Sequence, residues 1–383
     1  MNTIYLDNNA STRVAPEALD AMLPFLRESY GNPSSMHTFG GCLHRDVEAA
    51  RARVAALINA EPDEIIFTSC GTESDNAALM SGIETRPHRR HVITTRVEHP
   101  AVLNFARHLG RKGYRATFIP VDSLGRFDMD AFMGSLDDDT AVVSVMYANN
   151  ETGVIFPIEA IGAACRERGI LFHTDAVQAV GKIPVDVKKL PVDMMSLSGH
   201  KIHAPKGVGA LYARKGTRFA PYIIGGHQER GRRAGTENVA GIAAFGKACE
   251  LAAAHVGDAA SVARLRDRLE TALIAKCPSP RVNGDTAHRL PNTTNISFEY
   301  IEGEAILLRM NEFGICASSG SACTSGSLEP SHVLRAMGIP FTAIHGSVRF
   351  SLSGYTTEGE IDRVIELLPP IIRELRELSP YGR

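Results

Sequence analysis

The stretch Val192–Tyr212, VDMMSLSGHKIHAPKGVGALY, decides how the rest of the chain is read. Met194 to Leu197 is an apolar run that predicts a buried strand. It ends in Ser198-Gly199-His200-Lys201, and Pro205, Gly207 and Gly209 follow. Lysine is rarely buried without a partner. At the end of a buried strand its ammonium loses a proton more readily and becomes a nucleophilic amine. A surface lysine at a strand end is the plain alternative, and the neighbouring stretches decide against it.

Working outward, the same design repeats. Glu64 to Thr68 predicts a β-branched strand, Gly71 a turn, and Thr72-Glu73-Ser74-Asp75 the start of an apolar-periodic helix. Strand, glycine turn and helix N-terminus gather free N–H groups suited to an anion, although Thr, Ser and Asp are also ordinary helix caps. Further strands are expected at HVITTRVEHPAV, ending at His99, and at YRATFIPVD. Another is expected at AVVSVMYANNETG, running to Asn149-Asn150-Glu151, and another at Ile170 to Phe172, leading to Asp175 and Gln178. Buried runs without alternation, separated by helices, indicate an α/β fold with a mostly parallel sheet covered on both faces. Ligands of such sheets bind outside the carboxyl ends of the strands. Gly71, Thr72, His99, Asn150, Asp175, Ser198, His200 and Lys201 all fall at such ends.

The opening YLDNNASTRVAPEALDAM predicts a short strand, a polar loop with Asn8 and Asn9, and a helix with Pro16 in its first turn; the asparagines also suit plain turn chemistry. A helix through Val47, Val54 and Leu57 carries Arg and Glu on its other face. GGHQERGRRAGTENVAG, with Arg230, Arg232 and Arg233, reads as a basic loop ending in a helix cap at Thr236-Glu237-Asn238. It is either solvated or a second part of an anion site. Past residue 256 the pattern shifts to α+β, with an amphipathic helix through Val262, Leu265, Leu269 and Leu273 and a final helix from Glu358 to about Leu368. The expected division is a large domain over 15–256 and a smaller one from 1–14 and 257–383.

With 383 residues, 44% apolar and 22% charged, the chain suits one large and one small domain. A net charge of −2 gives no bulk case for nucleic acid or an anionic membrane. No apolar run approaches the ~20 residues of a membrane helix, and MNTIYLDNNA lacks a signal-peptide pattern; a cytoplasmic protein is expected. The seven cysteines are scattered without C-x-x-C, against a disulfide framework or structural zinc. Cys316 reads as core. Cys323 differs: it lies among Ser318, Ser319, Gly320, Ser321, Thr324, Ser325, Gly326 and Ser327, a composition poor in packing, which points to a thiol kept for reactivity. Arg349, in the apolar strand GSVRFSLS, suits bidentate capture of a carboxylate or a structural ion pair.

A nucleophilic lysine, a carboxylate, an anion cradle and a histidine suit pyridoxal phosphate (PLP), which needs a lysine, an acid at its ring nitrogen and donors for its phosphate. HTDAVQ, SGHK, RRAGTEN and SSGSACTSGSLEPSHVLRA resemble the PLP-dependent cysteine desulfurases of the class V aminotransferase fold (PLP-dependent transferase fold type I). The cysteine loop, GGHQERGRRAGTEN and the closing SPYG look most like the nitrogenase-associated branch. The resemblance implies that Lys201 holds PLP covalently and moves protons, Asp175 pairs with the ring nitrogen and Gln178 meets the phenolic oxygen. It also implies that His99 stacks on the ring as an acid/base, and that Gly71, Thr72, Ser198 and His200 hold the phosphate. Thr236 would reach the phosphate of a second subunit in a homodimer. Asn150, Arg349 and Asn8 would face L-cysteine, with Arg349 on its carboxylate. Cys323 would take the sulfur as a persulfide, leaving alanine, pass it to an iron–sulfur scaffold protein, and transiently share a metal cluster with that scaffold. Two rivals remain: a selenocysteine lyase or aminotransferase on the same frame, which would not need Cys323, and a non-enzymatic sulfur carrier, which would not need PLP.

Overall fold

The computed structural model describes residues 3–319 and 330–380. Cys323 and its immediate neighbours lie outside the described residues. After a two-residue strand β1 (Ile4–Tyr5), seven strands form the main sheet: β2 (Ile65–Thr68), β3 (His91–Thr95), β4 (Arg115–Ile119), β5 (Thr140–Ser144), β6 (Leu171–Asp175), β7 (Met194–Ser198) and β8 (Gly209–Ala213). Their order is β2-β8-β7-β6-β5-β3-β4. β4, β3, β5, β6 and β7 run parallel, whereas β8 is antiparallel to both β7 and β2. The link from Gly199 to Val208 explains that reversal: it is too short for the dozen or more residues of a crossover.

Successive strand residues enter opposite cores, as the pleat requires. Ile66, Val92, Val142, Leu171, Met194 and Leu211 share one apolar cluster. Phe67, Ile93, Val143, Phe172, Met195 and Ala210 share the other. With both faces covered, the runs need no polar alternation, which is why they read as continuous.

β5 is shorter than its apolar run. The chain leaves the ladder after Ser144 and closes a tight turn in which Asn149 Oδ1 accepts from the N–H groups of Glu151 and Thr152. Gly153 ends it at φ +78, a conformation that favours glycine. Arg51 also departs from the expected solvent face. It is 4% exposed, and its guanidinium meets Glu229 at 2.6 and 2.8 Å.

The helix Val239–Val256 is long and apolar enough to cross a membrane by length and composition, which corrects the expectation that no run approaches that size. Here it packs against the helices Pro16–Arg27 and Leu43–Leu57. A separate apolar cluster joins Ile4 and Leu6 to Leu269, Leu273, Ile296, Phe298, Phe350 and Ile361. It surrounds an antiparallel sheet of β9 (Pro280–Val282), β10 (Thr293–Phe298) and β12 (Ser347–Ser351), while β11 (Ile315–Cys316) pairs with β1. Val333, Leu334 and Met337 return to the larger cluster. The last helix runs through Pro369 and Pro370 to Leu378, ten residues past its expected end. Each interior proline costs about 3 kcal/mol. Burial of Pro369, Ile371 and Ile372 offsets this, since a fully buried aliphatic side chain contributes about 1.5–3 kcal/mol.

Candidate active site

A cavity of about 710 Å³ opens at the carboxyl ends of the parallel strands. Lys201 reaches it from a single 3-10 turn, Gly199–Lys201, directly after β7. Gly199 makes that turn possible, because a Cβ there would meet Val208 Cγ1 at 2.9 Å and Ala204 Cβ at 3.0 Å. Lys201 Nζ donates to the carbonyls of Asn9 and Ala10, each at 2.7 Å.

Asp175 is the last residue of β6, and its Oδ1 accepts from the Val177 N–H at 2.9 Å. Burial pushes its carboxyl up to about 6, with Lys201 pulling the other way. Gln178, three residues on, donates from Nε2 to the Asn9 carbonyl at 2.9 Å. His99 caps the helix Pro100–Arg111, and its Nδ1 accepts from the Ala101 N–H. That leaves the ring proton on Nε2. Burial, with Lys201 and His332 adding repulsion, pulls His99 down to about 4, so the imidazole is neutral at pH 7. His200, beside Ser11 at 3.3 Å, is likewise drawn down to about 4, chiefly by burial.

The helix Gly71–Glu84 points its N-terminus into the cavity, and no side chain caps its first N–H groups. A Cβ on Gly71 would meet Val177 Cγ2 at 2.9 Å, so glycine keeps the backbone open to a ligand. Ser198 Oγ lies beside this terminus, buried and without a hydrogen-bond partner. Uncapped amides and an orphaned hydroxyl form a cradle for a phosphate. Together with Asp175, Lys201 and His99 at the same mouth, these donors fit PLP. Ser198→Ala is therefore expected to weaken PLP binding by about tenfold to hundredfold, the worth of one hydrogen bond to a charged group. Titrating cofactor-free protein with PLP by absorbance checks this, and unchanged affinity would remove Ser198 from the cradle.

Arg349 is 2% exposed, and its side chain lines the cavity. Its Nη2 pairs with Asp7 at 2.7 Å and its Nη1 donates to the Asn150 carbonyl at 3.1 Å, while Nε is buried without a partner. The structural ion pair is thus present, and the residue with the unpartnered Nε lines the cavity. Asn150 lines the same wall. Cys323 lies outside the described residues, but both flanks of its segment sit here: Ser318 bridges Arg349, and Pro330 lines the cavity.

Two expected site residues lie elsewhere. Asn8 does not line this cavity; its amide donates to the carbonyls of Tyr5 and Ser351, and its neighbour Asn9 takes the place beside Lys201. Thr236 is exposed ahead of the helix Val239–Val256, away from the cavity wall. The basic loop is held by glutamates rather than opening onto the cavity: Arg233 pairs with Glu73 at 2.8 Å and Arg230 with Glu48 at 3.3 Å. Sequence reasoning missed Asp75, which lines the cavity one helical turn after Gly71 and is pushed well up by burial and by Asp175. Among the described residues, no group of three His, Cys, Asp or Glu side chains is placed to hold a metal ion.

Residues 4–364 match the model of the aminotransferase class-V family. The chain is 62% identical over 382 residues to a cysteine desulfurase of Nostoc sp., covering 100% of this chain and 96% of that one. It is 59% identical over 383 residues to the cysteine desulfurase NifS of Azotobacter vinelandii, covering 100% and 95%. A solved NifS-like protein superposes with a TM-score of 0.92 at 40% identity, covering 98% and 100%.

Proposed function

Because the chain belongs to the aminotransferase class-V family and is a PLP-dependent cysteine desulfurase, we propose the following roles for its own residues. The observation that carries them is the meeting of Lys201, Asp175 and an uncapped helix N-terminus at one cavity. Bound there, PLP supplies an electron sink for charge developing at the substrate's α-carbon. Lys201 holds the cofactor through Nζ and, once released, carries the α-proton. Asp175 holds a proton on the ring nitrogen. Gln178 donates to the ring's phenolic oxygen. His99 covers the ring and exchanges protons through Nε2. Gly71, Thr72, Ser198 and His200 receive the phosphate. Arg349 and Asn150 orient L-cysteine by its carboxylate. The Cys323 thiolate attacks the substrate sulfur; an S–S bond forms as the C–S bond breaks, the electron pair leaves with the carbon, and protonation gives alanine.

The large domain is 15–256, and 1–14 with 257–383 form the smaller one that carries Cys323. Two chains form a homodimer in which Thr236 reaches the other subunit's phosphate, consistent with its distance from its own cavity wall. The persulfide sulfur goes to an iron–sulfur scaffold protein in the cytoplasm, with Cys323 transiently sharing a cluster. Similarity to NifS of Azotobacter supports a supply for nitrogenase metalloclusters.

Anaerobic turnover of L-cysteine with a thiol reductant tests the reaction. Alanine and sulfide should appear in equal amounts. Pyruvate and ammonia in place of alanine would overturn the reading, because they mean loss of sulfur by elimination rather than by attack on it.

A further inference from the structure

Lys182 sits one turn of chain after Gln178 and carries an amine that the reaction scheme does not use. Its Nζ donates to Asn9 Oδ1 at 3.0 Å and to Gln178 Oε1 at 2.5 Å. Both acceptors are neutral amide oxygens on buried residues. Burial, with repulsion from Lys201 and Arg349, takes this amine far below the ordinary lysine range.

The arrangement bears on Gln178. The two ends of a side-chain amide are nearly equal in size, and their orientation is set by their partners. A lysine amine facing Gln178 fixes the oxygen toward Lys182. The Gln178 NH₂ must then face the other way, where it meets the Asn9 carbonyl that also accepts from Lys201. Asn9 is locked on its other sides too: its Nδ2 donates to Thr293 Oγ1 at 2.8 Å, and Asn292 donates to its Oδ1 at 3.0 Å. Other charged and titratable groups approach from behind: His203, His255 and Asp258 share with Lys182 a cavity of about 190 Å³ that Lys201 also lines.

We propose that Lys182 is a positioning residue for the cofactor's ring oxygen: its amine clamps the oxygens of Gln178 and Asn9, so that the Gln178 N–H and the Lys201 amine are presented to the cavity in fixed orientation. This rests on the reading that Gln178 meets the phenolic oxygen.

The test is a pH titration of the visible absorption of the PLP-loaded protein, in the absence of substrate. A hydrogen bond donated to the ring oxygen favours its deprotonated form, so losing the donor makes the chromophore hold its proton more tightly. Gln178→Ala should raise the midpoint by about one pH unit. Lys182→Met should raise it by a comparable amount, and the double variant no further than Gln178→Ala alone. Lys182→Leu provides the same reading should the methionine chain not fold. A raised midpoint in Gln178→Ala with none in either Lys182 variant would overturn the clamp. No shift in Gln178→Ala would overturn the assignment of Gln178, and the clamp with it. Additive shifts would show that Lys182 does not act through Gln178.

Discussion

Lys201→Ala is expected to lower turnover of L-cysteine by about ten-thousandfold or more, while the chain still folds and still binds PLP. The size follows from losing two functions at one atom, covalent attachment and proton transfer, the second alone being worth about 10²–10⁴. The geometry offers no substitute. Lys182 is close in the fold, but its Nζ is held by Asn9 and Gln178 and it does not line the main cavity. Retention of PLP is expected because the uncapped helix terminus, Ser198 and Asp175 do not depend on the lysine. Folding should survive as well, since Lys201 satisfies two carbonyls at the edge of a cavity that water can reach. Reduction with borohydride followed by mass analysis separates covalent from non-covalent cofactor. The wild type should gain one PLP at Lys201 and the variant none. Activity within tenfold of wild type would move the covalent role to another amine.

The ends of the strands were legible in the sequence because a doubly covered parallel sheet leaves little choice. Apolar runs such as Met194–Leu197 can only be interior, and whatever polar residues follow them must emerge on one edge. Lys201, Asp175, His99 and Gly71 were readable on that ground, and they share one cavity. What was not legible depended on contacts between distant segments. Asn8 and Asn9 are indistinguishable as turn formers. Only the bridge of Asp7 to Ser351 and the bond from the Asn9 N–H to Ser351 Oγ set which side chain turns inward. Lys182, in the polar-looking Gly-Lys-Ile-Pro, resembles a surface turn, and its acceptors come from a segment some 170 residues earlier as well as from Gln178. Arg51 read as a solvent-face charge because its partner, Glu229, lies 178 residues away. The helix Val239–Val256 was underrated because Lys247 and Glu250 interrupt its apolar text, although its buried residues form a continuous face. The Ser- and Gly-rich setting marked Cys323 as a reactive thiol, while resemblance carried its persulfide role and the remaining roles.

Cys323→Ala should abolish alanine and sulfide formation, by at least about a thousandfold, without loss of the yellow PLP colour or of the spectral change on adding L-cysteine. The prediction is sharp because the other described thiols are poor competitors. Cys42 is exposed, but it precedes the helix Leu43–Leu57 and does not line the cavity. Cys165 and Cys249 are buried, and burial drives both thiols far upward; Cys277 is pushed up to about 11. Cys316 lies on β11, paired with Tyr5. Cys70 is the one described thiol that lines the cavity, but it stands beside Gly71 at the phosphate cradle, its Sγ 3.6 Å from Ser69 Oγ. Cys323 follows Ser319 by four residues, a length of chain that spans at most about 14 Å, and Ser318 is bridged to Arg349, the residue proposed above to take the substrate's carboxylate. Cys70→Ala is the control and should retain turnover within a few-fold. If Cys70→Ala lost the activity and Cys323→Ala kept it, the nucleophile would be Cys70. If both variants kept it, sulfur would leave without a protein thiol, as in a lyase, and the Lys201 and Asp175 roles would stand while the persulfide role fell.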